Sequence, residues 1–289
     1  MTACELCGGP LAARAVRGGL TVRECRRCRF AHLDAPGADG AADVYARYRT
    51  PAYFRFWGEN SSGEVERQKR ATAGWLLGRL EAARGGSRGR LLEVGCASGE
   101  LLVEARARGW QVAGVELCEP MVARANRALG DGVVAALPFE SATAAPGSLD
   151  ALVLNDVLEH LPDLAAALAH ARRLLAPTGI LMICTPDLES WSARLMRGRW
   201  SHYKAEHLHY LSRTSLRTLL ERAGFRLRHV GNAWKALSLA YVAEHFRVYA
   251  DGPGARLLAG VTAHLPAPLR NLPVPLLTGN LLALAEPRG

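Results

Sequence analysis

Leu91-Leu92-Glu93-Val94-Gly95-Cys96-Ala97-Ser98-Gly99 is an apolar run that breaks into a turn of small residues. RLLEV reads as a short strand, and ELLVEARARG then carries helical spacing to a stop at Gly109. WQVAGVE is a second strand, and EPMVARANRAL is a helix with Pro120 in its first turn. GVVAAL, LDALVLN and GILMICT supply further strands, and SRTSLRTLLERAGF is an amphipathic helix ended by Gly224. Upstream, Ser61-x-x-Glu64 forms a capping box before a helix that runs to about Arg84 and stops at Gly85-Gly86. Strand and helix alternate throughout, which predicts an α/β fold with an open, Rossmann-like sheet.

The turn itself carries chemistry. Small residues at Gly95, Ala97 and Gly99, with Ser98 between them, let a ligand approach the backbone and expose N–H groups at the start of the next helix. Glu93 ends the strand two residues before the first glycine, where a carboxylate reaches a cationic amino group. Glu116 lies 17 residues beyond Gly99, at the end of the second strand, where an acid takes both hydroxyls of a ribose. A nicotinamide site would share the ribose acid but has little use for Glu93. The ligand implied is a nucleoside with a charged amino-acid tail and no phosphate, a description that S-adenosyl-L-methionine fits.

Seven cysteines divide into two groups. Cys4, Cys7, Cys25 and Cys28 form CELC and CRRC with 17 residues between, while Cys96, Cys118 and Cys184 are scattered singly. Two such pairs place four thiolates around one ion, so a structural Zn2+ is expected, with no open position for chemistry. Disulfide and redox-dithiol readings fit less well, since the second needs a single pair. The expected domains are a zinc knuckle at 1–33, a linker and aromatic-basic lid at 34–62, and a catalytic domain at 63–289. Within the last, residues 234–275 read as a helical insert before a closing strand, LLALAEP. That insert is expected to pack on the domain, with capping of the site or peripheral membrane contact as the alternatives.

The chain has 289 residues with 36 Lys/Arg against 27 Asp/Glu, and residues 1–90 hold +7 of the net +9. Hydrophobic content of 49% supplies a core and excludes a disordered or collagen-like chain. The most apolar stretch, Ala165 to Cys184, is interrupted by Arg172 and Arg173, so no membrane span is expected. MTACELCGG has neither a basic nor an apolar leader region, and a cytoplasmic location is the expectation. The basic N-terminal part suits a polyanionic partner, whether a phosphate, a diphosphate or RNA.

LLEVGCASG, GVELCEP, ALPFE, LDALVLNDVLEHLPD, GILMICTP and EHLHYLSRTSLRTLLERAGF occur in one order and spacing between Arg90 and Asn232. In this the chain resembles the class I S-adenosylmethionine-dependent methyltransferases, in particular the group that includes ubiquinone-type O-methyltransferases. The resemblance implies that Glu93 holds the methionine amino group, that Glu116 binds the ribose and that Leu117 packs on adenine. It also places Asn155 and Asp156 beside the methionine moiety. Ala97 stands where many members have Gly, and Ala136 where a polar residue often meets the adenine, leaving Leu137 to stack there.

The methyl acceptor must be read from other residues. Transfer from a sulfonium is an in-line displacement, so the protein chiefly positions the nucleophile and removes its proton. The cluster His202 to Tyr210 follows the fifth strand, and Glu206 beside His207 is the preferred base pair, the carboxylate raising the imidazole's proton affinity. His160, in NDVLEH, is a second candidate base, and either site has a plain bracing role as its alternative. The chain is also similar to sugar C-methyltransferases that carry a CxxC…CxxC module and an E-H pair at this place. A small-molecule acceptor follows: a sugar, lipid-linked or secondary-metabolite hydroxyl or acidic carbon, with a phosphate or diphosphate as a further handle. The alternative is an RNA methyltransferase, its arginines and the aromatics of 45–57 binding the nucleic acid.

Overall fold

The computed structural model describes residues 3–34, 45–50, 54, 63–243 and 260–288. Helix α1 (Gly63–Ala83) ends as expected at Gly85 and Gly86, both at positive φ, while Ser61 of the capping box lies outside the described residues. Strand β4 (Arg90–Val94) enters the glycine-rich turn, and α2 (Glu100–Ala107), β5 (Gln111–Val115), α3 (Glu119–Leu129) and β6 (Val134–Ala135) follow. Then come β7 (Leu149–Asn155), α4 (Leu164–Leu174), β8 (Leu175–Pro186), α5 (Trp191–Met196), α6 (Arg213–Arg222), β10 (Phe225–Leu237), α7 (Ala267–Arg270) and β11 (Val274–Pro287). Side-chain caps fix several helix starts: Asp163 accepts from Ala166 N–H, and Ser212 with Ser215 makes a reciprocal pair.

Seven strands form one sheet in the order β10-β11-β8-β7-β4-β5-β6. β4 is parallel to both β5 and β7, β7 is parallel to β8, and β11 runs antiparallel between β8 and β10. The chain moves outward from β4 to β6, then returns to β7 on β4's other side. The carboxyl ends of β4 and β7 therefore flank a topological switch point, where open α/β sheets bind ligands. Apolar residues cover both faces. Leu76, Leu80, Leu102 and Val153 fill one layer, and Leu168, Leu152, Ile183 and Leu220 the other.

The expected helical insert begins differently from its reading. Trp234, Lys235, Ala236 and Leu237 are strand residues paired with Leu277, Leu276, Pro275 and Val274, so β10 and β11 form a long antiparallel ribbon. An apolar run of this length fits either a helix or a strand by pattern alone, and here the ladder with a distant partner decides. Helical residues occur at 239–243 and 260–263, and 244–259 lie outside the described residues.

The N-terminal module is a second sheet. β1 (Leu11–Ala15), β2 (Thr21–Cys25) and β3 (Ala31–Leu33) pair antiparallel in sequence order, and β9 (His209–Tyr210) closes it against β3. Phe30 is fully buried and stacks on His209 at 5.7 Å, and Ser212 Oγ donates to the carbonyl of Cys28 at 3.1 Å. The module is thus built into the larger domain. Among the described residues no helix is long and apolar enough to cross a membrane.

Candidate active site and metal centre

The turn after β4 has the backbone its sequence demands. Gly95, Ala97 and Gly99 have φ of 63°, 46° and 83°, in the left-handed region. A Cβ on Gly95 would lie 2.6 Å from Val157 Cγ2, and one on Gly99 3.1 Å from Ala125 Cβ. Ala97 adopts the same conformation with a side chain, which costs about 1–2 kcal/mol. Its N–H donates to Glu116 Oε2 at 2.9 Å, while Glu116 Oε1 accepts from Leu117 and Cys118 N–H at 2.8 and 3.0 Å. The turn and the end of β5 are thereby tied into one unit.

Glu93 is buried, and its Oε2 has no hydrogen-bond partner among the described residues. Burial, with Glu100 and Glu116 nearby, holds its carboxyl well above the ordinary carboxylate range. Glu100 itself accepts from Ser98 Oγ at 2.9 Å and from Lys69 Nζ at 3.2 Å. A buried carboxylate left over in this way calls for a cation, and the ammonium of a methionine moiety is one. Half-buried Leu117 follows β5, and Leu137, 38% exposed, follows β6, leaving apolar surface for a flat ring. These residues fit S-adenosylmethionine, with Glu93 for its amino group and Glu116 for its ribose hydroxyls; contrary to the sequence expectation, the N–H groups of Gly95, Cys96, Ala97 and Gly99 are already taken by Val115, Glu116 and Cys96.

At the end of β7, Asn155 has a buried Oδ1 without a partner among the described residues. Asp156, at φ 55°, accepts from Lys235 Nζ at 2.6 Å and from Asn280 Nδ2 at 2.9 Å. Burial would raise the Asp156 carboxyl, but Lys235 outweighs it and holds the group below its ordinary range. Lys235 and Asn280 escaped the sequence reading. The available signal was a lone lysine in AWKAL and a lone asparagine before LLALA.

Beyond them lie the histidines. His160 Nδ1 is 2.8 Å from the carbonyl oxygen of Glu206 and 2.6 Å from Tyr48 Oη. The ring centroids of His160 and His207 are 4.7 Å apart, and His202 stacks on His207 at 6.0 Å. The expected Glu206–His207 partnership is not formed. Instead the backbone carbonyl of Glu206 meets His160, in a turn where His207 N–H donates to the carbonyl of Lys204 at 3.2 Å. His207 is buried with Nδ1 unpartnered among the described residues, and burial beside His160 and His202 pushes its proton affinity well below the ordinary value. Glu159, also buried, accepts from Thr185 Oγ1 at 2.9 Å, and burial with Asp156 nearby pushes it up to about 8.

Of the aromatic-basic segment, residues 45–50 and 54 are described, and Tyr53, Arg55, Phe56 and Trp57 lie outside the described residues. Tyr45 Oη donates to Glu140 at 2.6 Å, after β6, while Tyr48 reaches His160, after β7. The segment thus crosses the carboxyl ends of the strands. The N-terminal arginines are largely committed within the chain: Arg23 to Asp34 at 2.7 Å and Arg29 to Glu24 at 2.7 Å.

The sulfurs of Cys4, Cys7, Cys25 and Cys28 lie within 4.8 Å of one another, with Cys4–Cys28 at 3.7 Å and Cys7–Cys25 at 3.5 Å. Tetrahedral zinc with bonds of about 2.3 Å needs sulfurs about 3.8 Å apart. A Cβ on Gly9 would fall 2.9 Å from Cys25 Sγ and 3.2 Å from Cys7 Sγ, so the glycine clears the cradle. Although burial raises the Cys25 thiol, N–H groups of Cys28 and Arg27 outweigh it and lower it to about 7. The donor set fits Zn2+.

Residues 66–230, more than half of the chain, match a methyltransferase domain family. The chain belongs to that family. Its sheet is the Rossmann-like sheet of class I S-adenosylmethionine-dependent methyltransferases. Among curated relatives, the chain is 32% identical over 158 residues to the ubiquinone biosynthesis O-methyltransferase of Xanthomonas euvesicatoria, covering 49% of the chain and 64% of that enzyme. It is 29% identical over 192 residues to a probable S-adenosylmethionine-dependent methyltransferase of Mycolicibacterium smegmatis, covering 60% and 70%. The chain therefore spans just under two thirds of the first of these. Among solved structures, a 1,6-didemethyltoxoflavin N1-methyltransferase of Burkholderia thailandensis superposes with TM-score 0.57 at 17% identity, covering 96% of this chain and 99% of that one. A geranyl diphosphate C-methyltransferase of Streptomyces coelicolor gives TM-score 0.56 at 17% identity, with 88% and 100% covered. At such identities the likeness is one of fold.

Proposed function

We propose that the protein transfers a methyl group from S-adenosylmethionine to a small-molecule acceptor bearing a hydroxyl or an acidic carbon. The observation that carries this reading is Glu93, a buried carboxylate with an unpartnered oxygen beside a turn whose three small residues all sit at positive φ. When bound, S-adenosylmethionine supplies an electrophilic sulfonium methyl, open to in-line displacement by the acceptor oxygen or carbon.

The chain's own residues do the positioning. Glu93 pairs with the ammonium and Glu116 takes the ribose, its two oxygens already oriented by three N–H groups. Asn155 and Asp156 border the reacting end, and His160 and His207 face the acceptor. The acceptor's proton leaves by this histidine pair, with Glu206 held beside His160 through its carbonyl. The segment bearing Tyr45 and Tyr48 closes over the strand ends and excludes water. A sugar, lipid-linked or secondary-metabolite acceptor suits this enclosure, and an appended phosphate or diphosphate would meet the arginines of the same segment. The Zn2+ held by Cys4, Cys7, Cys25 and Cys28 is structural, since four thiolates leave it no open position. Cytoplasmic residence is part of the same proposal.

The test uses methyl-labelled S-adenosylmethionine with extracts of the source cells. Label in a low-mass or organic-soluble fraction that resists ribonuclease supports the reading. Label that precipitates with RNA and disappears on ribonuclease treatment overturns it in favour of nucleic-acid methylation.

A further inference from the structure

A cavity of about 420 Å³ lies beyond the carboxyl end of β8, between α5 and the ribbon of β10 and β11. Asp187, Trp191, Arg194, Arg213, Asn232 and Leu277 are among its walls. None of the groups placed around the cofactor or the histidines lines it. Asn232 precedes Ala233, which is buried in the layer of Leu282, Leu284 and the α1 residues Leu76 and Leu80. Successive strand residues face opposite ways, so the cavity opens on the other face of the sheet, where Leu216 and Leu220 of α6 pack. Its volume falls within the range of small-molecule sites.

Trp191 supplies a flat wall. Its Nε1 donates to the carbonyl of Leu277 at 3.0 Å, which fixes the indole, yet the residue is 58% exposed. An indole held at one edge and otherwise open is a platform for a second ring. The charges beside it do not balance. Arg14 and Arg29 pair with Glu24 at 3.4 and 2.7 Å, Arg29 also reaches Glu189 at 3.7 Å, and Arg213 lies 3.9 Å from Asp187. Each of these carboxylates has an arginine. The guanidinium of Arg194 has neither an ion pair nor a hydrogen bond among the described residues. Counting it, four arginines meet three carboxylates, a surplus of one positive charge. Donors are in surplus too. Asn232 Oδ1 accepts from Arg213 Nη2, and the amide's own NH2 group is unbonded among the described residues.

We propose that this cavity binds a second small molecule, a planar aromatic monocarboxylate whose ring lies on Trp191 and whose carboxylate meets Arg194 and Arg213. One negative charge answers a surplus of one. A dianion would bring a further charge against Asp187 and Glu189, and like charges brought together cost affinity. A guanidinium presents paired N–H groups that match the two oxygens of a carboxylate, which favours that group over a single-point anion. The ligand is distinct from the cofactor, and its site shares no wall with the one proposed for S-adenosylmethionine.

Calorimetry on the full chain with 2-naphthoate as the probe tests this. A Kd of about 1 mM or tighter is expected. 2-Naphthol has the same ring without the charge, and 2-naphthyl phosphate carries a second charge above about pH 6. At pH 7.5 each is expected to bind about tenfold more weakly, or worse. Arg194→Gln is expected to weaken 2-naphthoate by about tenfold or more, and Trp191→Leu by about threefold or more. Both side chains are exposed, so melting temperatures stay near that of the parent, which separates a lost contact from a lost fold. Glu93→Gln leaves 2-naphthoate binding unchanged, because the probe is not in the cofactor site. Absence of binding at about 5 mM overturns the proposal, as does binding that survives both Arg194→Gln and Trp191→Leu. Equal affinity for 2-naphthol, or tighter binding of the phosphate, overturns the monocarboxylate assignment. Loss of 2-naphthoate binding in Glu93→Gln overturns the separate site.

Discussion

Lys235 Nζ lies 2.6 Å from Asp156 Oδ2, joining the carboxyl-terminal end of β10 to the residue that follows β7. Asn280 Nδ2, on β11, holds the other carboxylate oxygen at 2.9 Å. Three strands thus converge on one side chain at the edge of the proposed cofactor site. The side chains of Lys235 and Asp156 are 22% and 37% exposed, so water partly screens the pair. Lys235→Met is expected to lower unfolding stability by about 1–3 kcal/mol, the range for a hydrogen bond to a charged group. A shift of the urea midpoint with an unchanged m-value checks this, and cofactor affinity should fall with it.

Glu93 links stability to function with opposite signs. In the free protein its carboxyl keeps a proton to higher pH than it does in the unfolded chain. The folded state therefore binds more protons above about pH 4.5, and stability falls as pH rises through that window. Glu93→Gln removes this loss, so the variant should gain stability over the parent progressively from acid to neutral pH. It should also bind S-adenosylhomocysteine about tenfold to a hundredfold more weakly, having lost a charged partner for the ammonium. For the parent, calorimetry in buffers of different ionisation enthalpy should show proton release on binding, with affinity rising as pH rises.

Neighbouring small residues should respond oppositely. Gly95→Ala places a Cβ 2.6 Å from Val157 Cγ2 at φ 63°. The left-handed backbone alone costs about 1–2 kcal/mol, and the clash adds to it. Ala97→Gly relieves a residue already held at φ 46° and should be neutral or stabilising by less than about 1 kcal/mol. Thermal melts of the two variants compare them directly.

Zinc should reach the acceptor side through the backbone. Cys25→Ser removes one of four thiolates, and the β1–β3 sheet should open. β9 then loses its partner, so hydrogen exchange at His209 and Tyr210 should rise while Leu91 to Val94 stay protected. Retained protection at Tyr210 in the zinc-free variant would show that β9 stands without the module.

What the sequence revealed follows physical range. β4 (Arg90–Val94) and α3 (Glu119–Leu129) match their sequence reading residue for residue, because apolar spacing, Pro120 and the glycines at their ends act locally. The turn residues were legible for the same reason, since positive φ and close approach select small side chains. Trp234 to Leu237 were not, because their conformation is set by pairing with Val274 to Leu277 far along the chain. The contact between the Glu206 carbonyl and His160 was not legible because it spans 46 residues, whereas neighbours in sequence suggested only Glu206 with His207. Phe30 against His209 and Lys235 against Asp156 belong to the same class of long-range contact.

The last strand of the small sheet has a consequence for synthesis. Ala31 pairs with Tyr210, so residues 3–34 leave the ribosome long before the strand that completes their sheet. At roughly 5–20 residues per second the wait is on the order of ten to thirty-five seconds. Through that interval Phe30 lacks His209 above it and β3 presents an open edge to any passing chain. Metal capture by the cysteines can precede the wait, but closure of the module cannot. The nascent chain must carry its finished knuckle half-covered until the far side of the methyltransferase domain emerges.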